Sequence, residues 1–302
     1  MSELRYDDRV IVITGAGRGL GRAYAELLGA RGARVVVNDP GSAVRGEGID
    51  VGPAAEVVAA IKAQGGDAIV STDSVATPEG GRAIIEAALD HYGRIDGLIH
   101  NAGNVRYGSM QALSQEDFDA VLDVHLRGAF HVARAAFPHM CKARYGRIIL
   151  TSSIGGLYGN RDCVNYGMSK SGMIGLNNVL ALEGEVEGVK SNIIVPGAVT
   201  RMAEGLDISQ YPPMGPELVS PVVAWLAHEN CSVTGEMLVS IAGRVARAFI
   251  AESKGVYQPS WTPEDVGARI DAIMDSQDPL VFGLEGHVDH IRYSFDRAVA
   301  GE

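Results

Sequence analysis

The chain has 302 residues, 46% hydrophobic and 21% charged, with a formal net charge of −11. A chain of this length can bury a full core without staples, and its acidic balance, with no basic run, argues against a nucleic-acid surface. Its three cysteines (Cys141, Cys163, Cys231) lack a C-x-x-C spacing, so neither a disulfide framework nor a zinc site is expected.

The first residues, Met1 to Asp8, lack the apolar core of a secretory signal, and no apolar run reaches membrane-spanning length. The ending Val299-Ala300-Gly301-Glu302 is not a peroxisomal address, which leaves the cytoplasm as the default location. Val10-Ile11-Val12-Ile13 is a continuous β-branched run, the pattern of a strand buried on both faces of a parallel sheet. It leads into Thr14-Gly15-Ala16-Gly17-Arg18-Gly19-Leu20-Gly21 and then an amphipathic helix to about Arg31. Glycines at 15, 19 and 21 allow a tight turn and close backbone approach, and the helix N-terminus favours a pyrophosphate, so Gly15, Arg18, Gly19, Leu20 and Gly21 are cofactor candidates.

A second strand, Ala33 to Asn38, ends at Asp39, about twenty residues after the glycine loop. A carboxylate there can take both ribose hydroxyls of an adenosine and would repel a 2′-phosphate, which favours NAD(H) over NADP(H). The competing reading is a turn-starting aspartate before Pro40-Gly41, and Arg18 or Arg45 would be the residues to rescue a phosphate. Residues 40–52 form a glycine-rich surface insertion. A helix over 54–64 and a strand over 68–71 follow. Asp73 and Ser74 then either hold an adenine edge or cap the helix beginning near Pro78. A helix over 81–92 precedes a fourth strand over 95–100, which ends in Asn101-Ala102-Gly103, and ligands of doubly wound sheets bind at such carboxyl ends.

A long helical segment, 114–144, carries Phe118, Val121, Leu122, Leu126 and Phe130 at helical spacing and encloses His125. The fifth strand ends near Ser153, and Gly155-Gly156 loosens the loop toward a helix bearing Tyr166 and Lys170, which share one face. A sixth strand, 189–195, is stopped by Pro196-Gly197; residues 198–215 suggest a lid, 216–227 a helix and 237–241 a seventh strand. The repeated alternation predicts an α/β fold: one doubly wound, parallel, seven-stranded sheet with helices on both faces over residues 1–243. Residues 244–302 read as a C-terminal extension packed on the same domain or on a neighbouring subunit. In it, 245–250 is strand or loop, and Thr262-Pro263-Glu264-Asp265 starts a helix. His287, Asp289 and His290 lack a further ligand, so no metal is expected.

Thr14–Gly21, Asn101-Ala102-Gly103, Ser153, Tyr166-x-x-x-Lys170 and Pro196-Gly197, in this order and spacing, resemble the short-chain dehydrogenase/reductase family over roughly residues 8–243. The resemblance implies a Rossmann-type fold with Tyr166 as general acid/base, Lys170 holding the nicotinamide ribose and lowering the tyrosine pKa, and Ser153 orienting the carbonyl. It adds Pro196, Gly197 and Val199 to the cofactor candidates. Where the family carries an asparagine, this chain has His125, which either replaces its relay role or merely packs. His125 and Arg127, Asn38-Asp39, the 40–52 insertion and Leu157-Tyr158-Gly159-Asn160 resemble the (3R)-hydroxyacyl-CoA dehydrogenase units of multifunctional β-oxidation enzymes, a group that includes 17-beta-hydroxysteroid dehydrogenases.

The implied activity is an NAD-dependent oxidoreductase exchanging a hydride with a secondary alcohol, with a 3-hydroxyacyl-CoA or sterol-derived thioester as first choice. A free hydroxysteroid, a terpenoid alcohol and an acyl-carrier-protein thioester are the alternatives. A carrier calls for basic residues at the pocket mouth, for which Arg106, Arg161 and Arg201 are candidates beside their reading as solvated charges. A non-catalytic nucleotide-binding protein and a lyase on the same scaffold are the rival classes. The resemblance also implies a homodimer or homotetramer through segments 114–144 and 163–188.

Overall fold

The computed structural model describes residues 3–200 and 210–301. Strands β1 (Val10–Thr14), β2 (Arg34–Asn38), β3 (Asp67–Ser71), β4 (Gly97–His100), β5 (Gly146–Thr151), β6 (Val189–Gly197), β7 (Met237–Ile241) and β8 (Arg244–Ala248) form one sheet in the order 3-2-1-4-5-6-7-8. The first seven pair in parallel, and their carboxyl ends are level: Thr14 is in register with both Asn38 and His100, and Asn38 with Ser71. The chain reverses its winding between β1 and β4, which is where such sheets open a crevice.

Helices α1 (Gly19–Ala30), α2 (Gly52–Ala63) and α8 (Ser220–Ala227) cover one face. There Leu28, Val57, Ile61 and Val223 close over Ile11, Ile13, Val35 and Val37. The other face carries α3 (Pro78–Tyr92), α5 (Gly128–Ala143) and α7 (Val164–Glu185). Strands β1, β4 and β5 are buried along their whole length, as continuous apolar runs require when helices cover both faces.

The sheet has eight strands, not seven. Ala242 and Gly243, both at positive φ, make the two-residue turn that suits a twisted hairpin and return β8 beside β7. Strand β6 runs through Pro196 and Gly197 instead of stopping before them. Pro196 lies beyond the last β5 partner, Ile194, so its missing N–H costs no ladder bond on that side. The long helical segment is α4 (Gln115–Leu122) and α5 joined by a π-helical turn, Asp123–Arg127. Within this wide turn His125 is buried, and past it Gly128 and Ala129 are buried while Phe130 faces solvent.

Gly155 and Gly156 do not loosen a loop; they lie within the short helix α6 (Ile154–Tyr158). A Cβ on Gly156 would stand 2.6 Å from Lys170 Cβ, so this glycine lets α6 lie against α7. Of the suggested lid, residues 201–209 are outside the described part; its neck closes with Val199 N–H donating to Met214 O at 2.7 Å.

Contacts divide the chain into two compact units, Met1–Arg247 and Ala248–Glu302. In the second, α9 (Pro263–Ala268) starts on a reciprocal capping box between Thr262 and Asp265, followed by α10 (Ile270–Ile273) and α11 (Gly286–Ala300). Within it His290 Nε2 lies 3.1 Å from Glu252. Among the described residues no helix is long and apolar enough to cross a membrane.

Gly156→Ala should lower stability by about 1–3 kcal/mol, the usual cost of overpacking. Urea unfolding measures it, and an unchanged midpoint would contradict the close α6–α7 contact.

Candidate active site

The level carboxyl ends gather the residues that the sequence singles out. Gly15 and Gly19 adopt positive φ, and a Cβ on Gly15 would lie 2.7 Å from Ala102 Cα, so the loop after β1 is pressed against the loop after β4. Asn101 ties the two together: its Nδ2 donates to Gly15 O at 3.0 Å and Thr14 O at 3.3 Å. Arg18 at the N-cap makes no side-chain capping bond to α1, which leaves its first turn suited to an anionic ligand. A glycine cradle beneath an uncapped helix end fits a dinucleotide pyrophosphate.

Asp39 is buried, and it makes the turn while also bracing the glycine loop. Its Oδ1 accepts from Gly41 N–H at 2.7 Å, making the turn, and its Oδ2 accepts from Gly17 N–H at 2.9 Å in the glycine loop. Each oxygen keeps a lone pair for a ribose hydroxyl. Asp73 and Ser74 are exposed, and neither caps α3; that role belongs to Thr77, whose side chain accepts from Gly80 N–H. The Asp73 carbonyl instead accepts from Asn38 Nδ2 at 2.9 Å. Pro196 and Gly197 end β6 at the same edge, but the Val199 amide is already engaged by Met214.

Ser153 follows β5 and caps α6, its Oγ accepting from Gly155 N–H at 3.1 Å. It stands beside Tyr166: a Cβ on Gly155 would lie 3.7 Å from Ser153 Oγ and 3.6 Å from the Tyr166 ring. Burial pushes that phenol's pKa up, and Ser153 opposes the rise. Lys170, one turn along α7, is buried, with Nζ donating to Thr151 O at 2.6 Å and lying 5.7 Å from the Tyr166 ring centre. Burial lowers the Lys170 pKa to about 7. In this geometry Ser153, rather than Lys170, is the group that draws the Tyr166 pKa down. Asn165 fixes the start of α7, its Nδ2 donating to Arg106 O at 2.9 Å and Asp117 O at 3.0 Å.

His125 is buried and stands edge-on to Tyr166, ring centres 5.3 Å apart. Its Nε2 is 2.8 Å from Asn104 O and 3.1 Å from Asn104 N, so the backbone of Asn104 can serve either tautomer. Nδ1 has no hydrogen-bond partner among the described residues. Burial, reinforced by the nearby Lys170 charge, holds the ring neutral.

Two further residues escaped the sequence reading. His100 Nε2–H donates to His125 O at 3.0 Å, so Nδ1 must accept from the Thr14 hydroxyl at 3.1 Å. Thr14 Oγ1 in turn accepts from Asn101 N–H and Ala102 N–H, each at 3.1 Å. The only available signal was their place at strand ends beside two glycine-bearing turns. Of the three carrier arginines, Arg106 is not a free surface charge: it holds Asp117 at 2.9 Å and Arg45 O at 3.1 Å. Arg161 is exposed, and Arg201 lies outside the described residues.

Burial lowers the His100 pKa to about 3, with the Lys170 charge adding to the effect. An unfolded histidine takes its proton near pH 6.5. Stability from these two rings is therefore whole above about pH 6.5 and declines as pH falls toward the folded value, by up to about 1.4 kcal/mol per pH unit for each ring. Urea unfolding from about pH 7 to about pH 5 should show this decline, and His100→Gln should make it shallower; an unchanged slope would contradict the assignment.

The short chain dehydrogenase family profile matches residues 9–208. The chain is 46% identical over 261 residues to a peroxisomal multifunctional enzyme type 2 of Drosophila melanogaster, covering 85% of this chain but 43% of that protein. It is 43% identical to a short-chain type dehydrogenase/reductase of Mycobacterium tuberculosis, covering 92% of this chain and 98% of the relative. The solved structure of the full-length Drosophila enzyme superposes with a TM-score of 0.80 at 38% identity, covering 97% of this chain and 50% of that one. The chain thus spans about half the length of the Drosophila enzyme it matches and nearly all of the mycobacterial one. With the glycine cradle, Ser153, Tyr166 and Lys170 gathered at one sheet edge, the chain belongs to the short-chain dehydrogenase family of oxidoreductases acting on CH–OH groups.

Proposed function

We propose that this oxidoreductase uses NAD(H) to interconvert a secondary alcohol and its ketone on a 3-hydroxyacyl thioester. The observation that carries the reading is Ser153 standing beside Tyr166, with the buried Lys170 one turn along the same helix as the tyrosine. Gly15, Gly19, Gly21, Asn101 to Gly103 and Asp39 would hold the dinucleotide, with Asp73, Ser74, Pro196 and Gly197 along its edges. When bound, NAD supplies a hydride acceptor for the carbinol carbon.

The protein's own groups handle the proton and the oxygen. Ser153 hydrogen-bonds the substrate oxygen, and Tyr166 takes the hydroxyl proton as the carbon is oxidised. Lys170, its Nζ held by Thr151 O and 5.7 Å from the Tyr166 ring centre, would hold the nicotinamide ribose. His125 stands edge-on to Tyr166 with an Nδ1 that has no partner among the described residues, while its Nε2 is held by Asn104. That geometry suits holding a substrate or water group better than passing a proton through the ring, because the far nitrogen abuts a backbone amide. The acyl-thioester preference rests on the His125-containing resemblance and on kinship with the peroxisomal multifunctional enzyme. Recruitment of a carrier then falls to Arg161 and Arg201 rather than Arg106. A cytoplasmic location and a homodimer or homotetramer through α5 and α7, which expose Phe130, Met168 and Val179, belong to the same proposal.

A screen of secondary alcohols with NAD, including 3-hydroxyacyl-CoA thioesters and hydroxysteroids, tests the reading by NADH formation. The thioesters should turn over fastest; turnover confined to free steroids would overturn the substrate assignment. Equal kcat/KM with NADP would overturn the role of Asp39. Tyr166→Phe should lower kcat by roughly a hundredfold or more while NADH affinity holds, and full activity in that variant would sink the mechanism. Sedimentation at assay concentration should give a dimer or tetramer; a monomer would contradict the α5–α7 interface.

A further inference from the structure

Asp39 is not the only carboxylate at the ribose end of the glycine loop. The 40–52 insertion leaves β2 and returns to its own start, Asp50 N–H donating to Pro40 O at 2.9 Å. The Asp50 side chain then faces two ways. Its Oδ1 accepts from Gly52 N–H at 3.0 Å where α2 begins, and its Oδ2 stands 3.7 Å from Nη2 of Arg18. Arg18 follows Gly17, whose amide is bound by Asp39, so Arg18 springs from the cofactor loop one residue from the point that the proposed ribose carboxylate holds. Arg45, the other cation within reach by sequence, is 3.7 Å from Glu47 and 3.5 Å from Asp117. Both arginines that would otherwise welcome a 2′-phosphate are paired with carboxylates.

We infer that Asp50 is a second specificity-determining residue, which excludes 2′-phosphorylated dinucleotides by occupying Arg18. The inference rests on the NAD reading of the site and deepens it. An unpaired arginine offers a planar fork that matches phosphate oxygens; a carboxylate already facing that fork both competes for it and adds a repelling charge. Asp50 and Arg18 are both solvent-accessible, so the discrimination is modest, about fivefold for one screened charge several ångströms away. The competing account gives Asp50 only its bond to Gly52. Asp50→Asn separates the two, because the amide oxygen keeps that bond while the charge is lost.

The test is equilibrium binding of NADH and NADPH, followed by nicotinamide fluorescence in the full chain without substrate. Asp50→Asn should tighten NADPH by roughly fivefold and leave NADH within about twofold, with the gain shrinking as salt is raised. In an Arg18→Gln background the same substitution should lose most of that gain. Equal shifts for both nucleotides, no shift, or an undiminished gain without Arg18 would each overturn the inference. Wild-type protein that binds NADPH as tightly as NADH would overturn the Asp39 reading, while the variant ratio would still score Asp50. Wild-type protein that binds neither would overturn the proposed function and this inference with it.

Discussion

The hydroxyl of Thr14 is the junction on which the site depends. It donates to His100 and accepts from the amides of Asn101 and Ala102, so all of its hydrogen-bonding capacity is used at the point where β1 and β4 diverge. His100 carries the connection on to the carbonyl of His125 inside the π-helical turn. The glycine loop, the turn after β4 and the start of α5 are thereby fixed relative to one another by groups that are buried and neutral. A buried neutral network of this kind holds its geometry because each member would lose a partner if another moved.

The same burial sets the proton chemistry. Taking Tyr166 and Lys170 out of water disfavours the charged form of each, so the phenol rises while the lysine falls to about 7. The hydroxyl of Ser153 partly reverses the effect on Tyr166 and is itself held by the α6 backbone. Gly156 is what allows this arrangement, since α6 and α7 meet there with no room for a side chain on Lys170's flank. Proton transfer in the proposed reaction is therefore governed by packing as much as by the identity of the acid and base.

Much of this was legible in the chain itself, for identifiable reasons. Buried parallel strands announce themselves as continuous apolar runs, and the glycine loop can be recognised because few other residues tolerate the backbone it needs. The pairing of Tyr166 with Lys170 was readable because one turn of helix sets their spacing, and Ser153 because it closes a buried strand run. What escaped notice depends on backbone events that side-chain patterns do not encode. A π turn leaves the apolar spacing nearly intact, so the switch that buries His125 and exposes Phe130 had no signature. Ala242 at positive φ is an unfavoured residue for a hairpin, which hid the return of the strand-or-loop segment 245–250 to the sheet as β8. The pairings of Arg18 with Asp50 and Arg106 with Asp117 are set by where the 40–52 insertion and the start of α4 lie in space.

The central step of the proposed reaction is hydride transfer to the nicotinamide. Its most direct measurement is a single turnover with a 3-hydroxyacyl-CoA carrying deuterium on the carbinol carbon and unlabelled NAD. The label should appear in the reduced nicotinamide, with none released to water. Product formation with deuterium lost to solvent, or without any labelled cofactor, would contradict it.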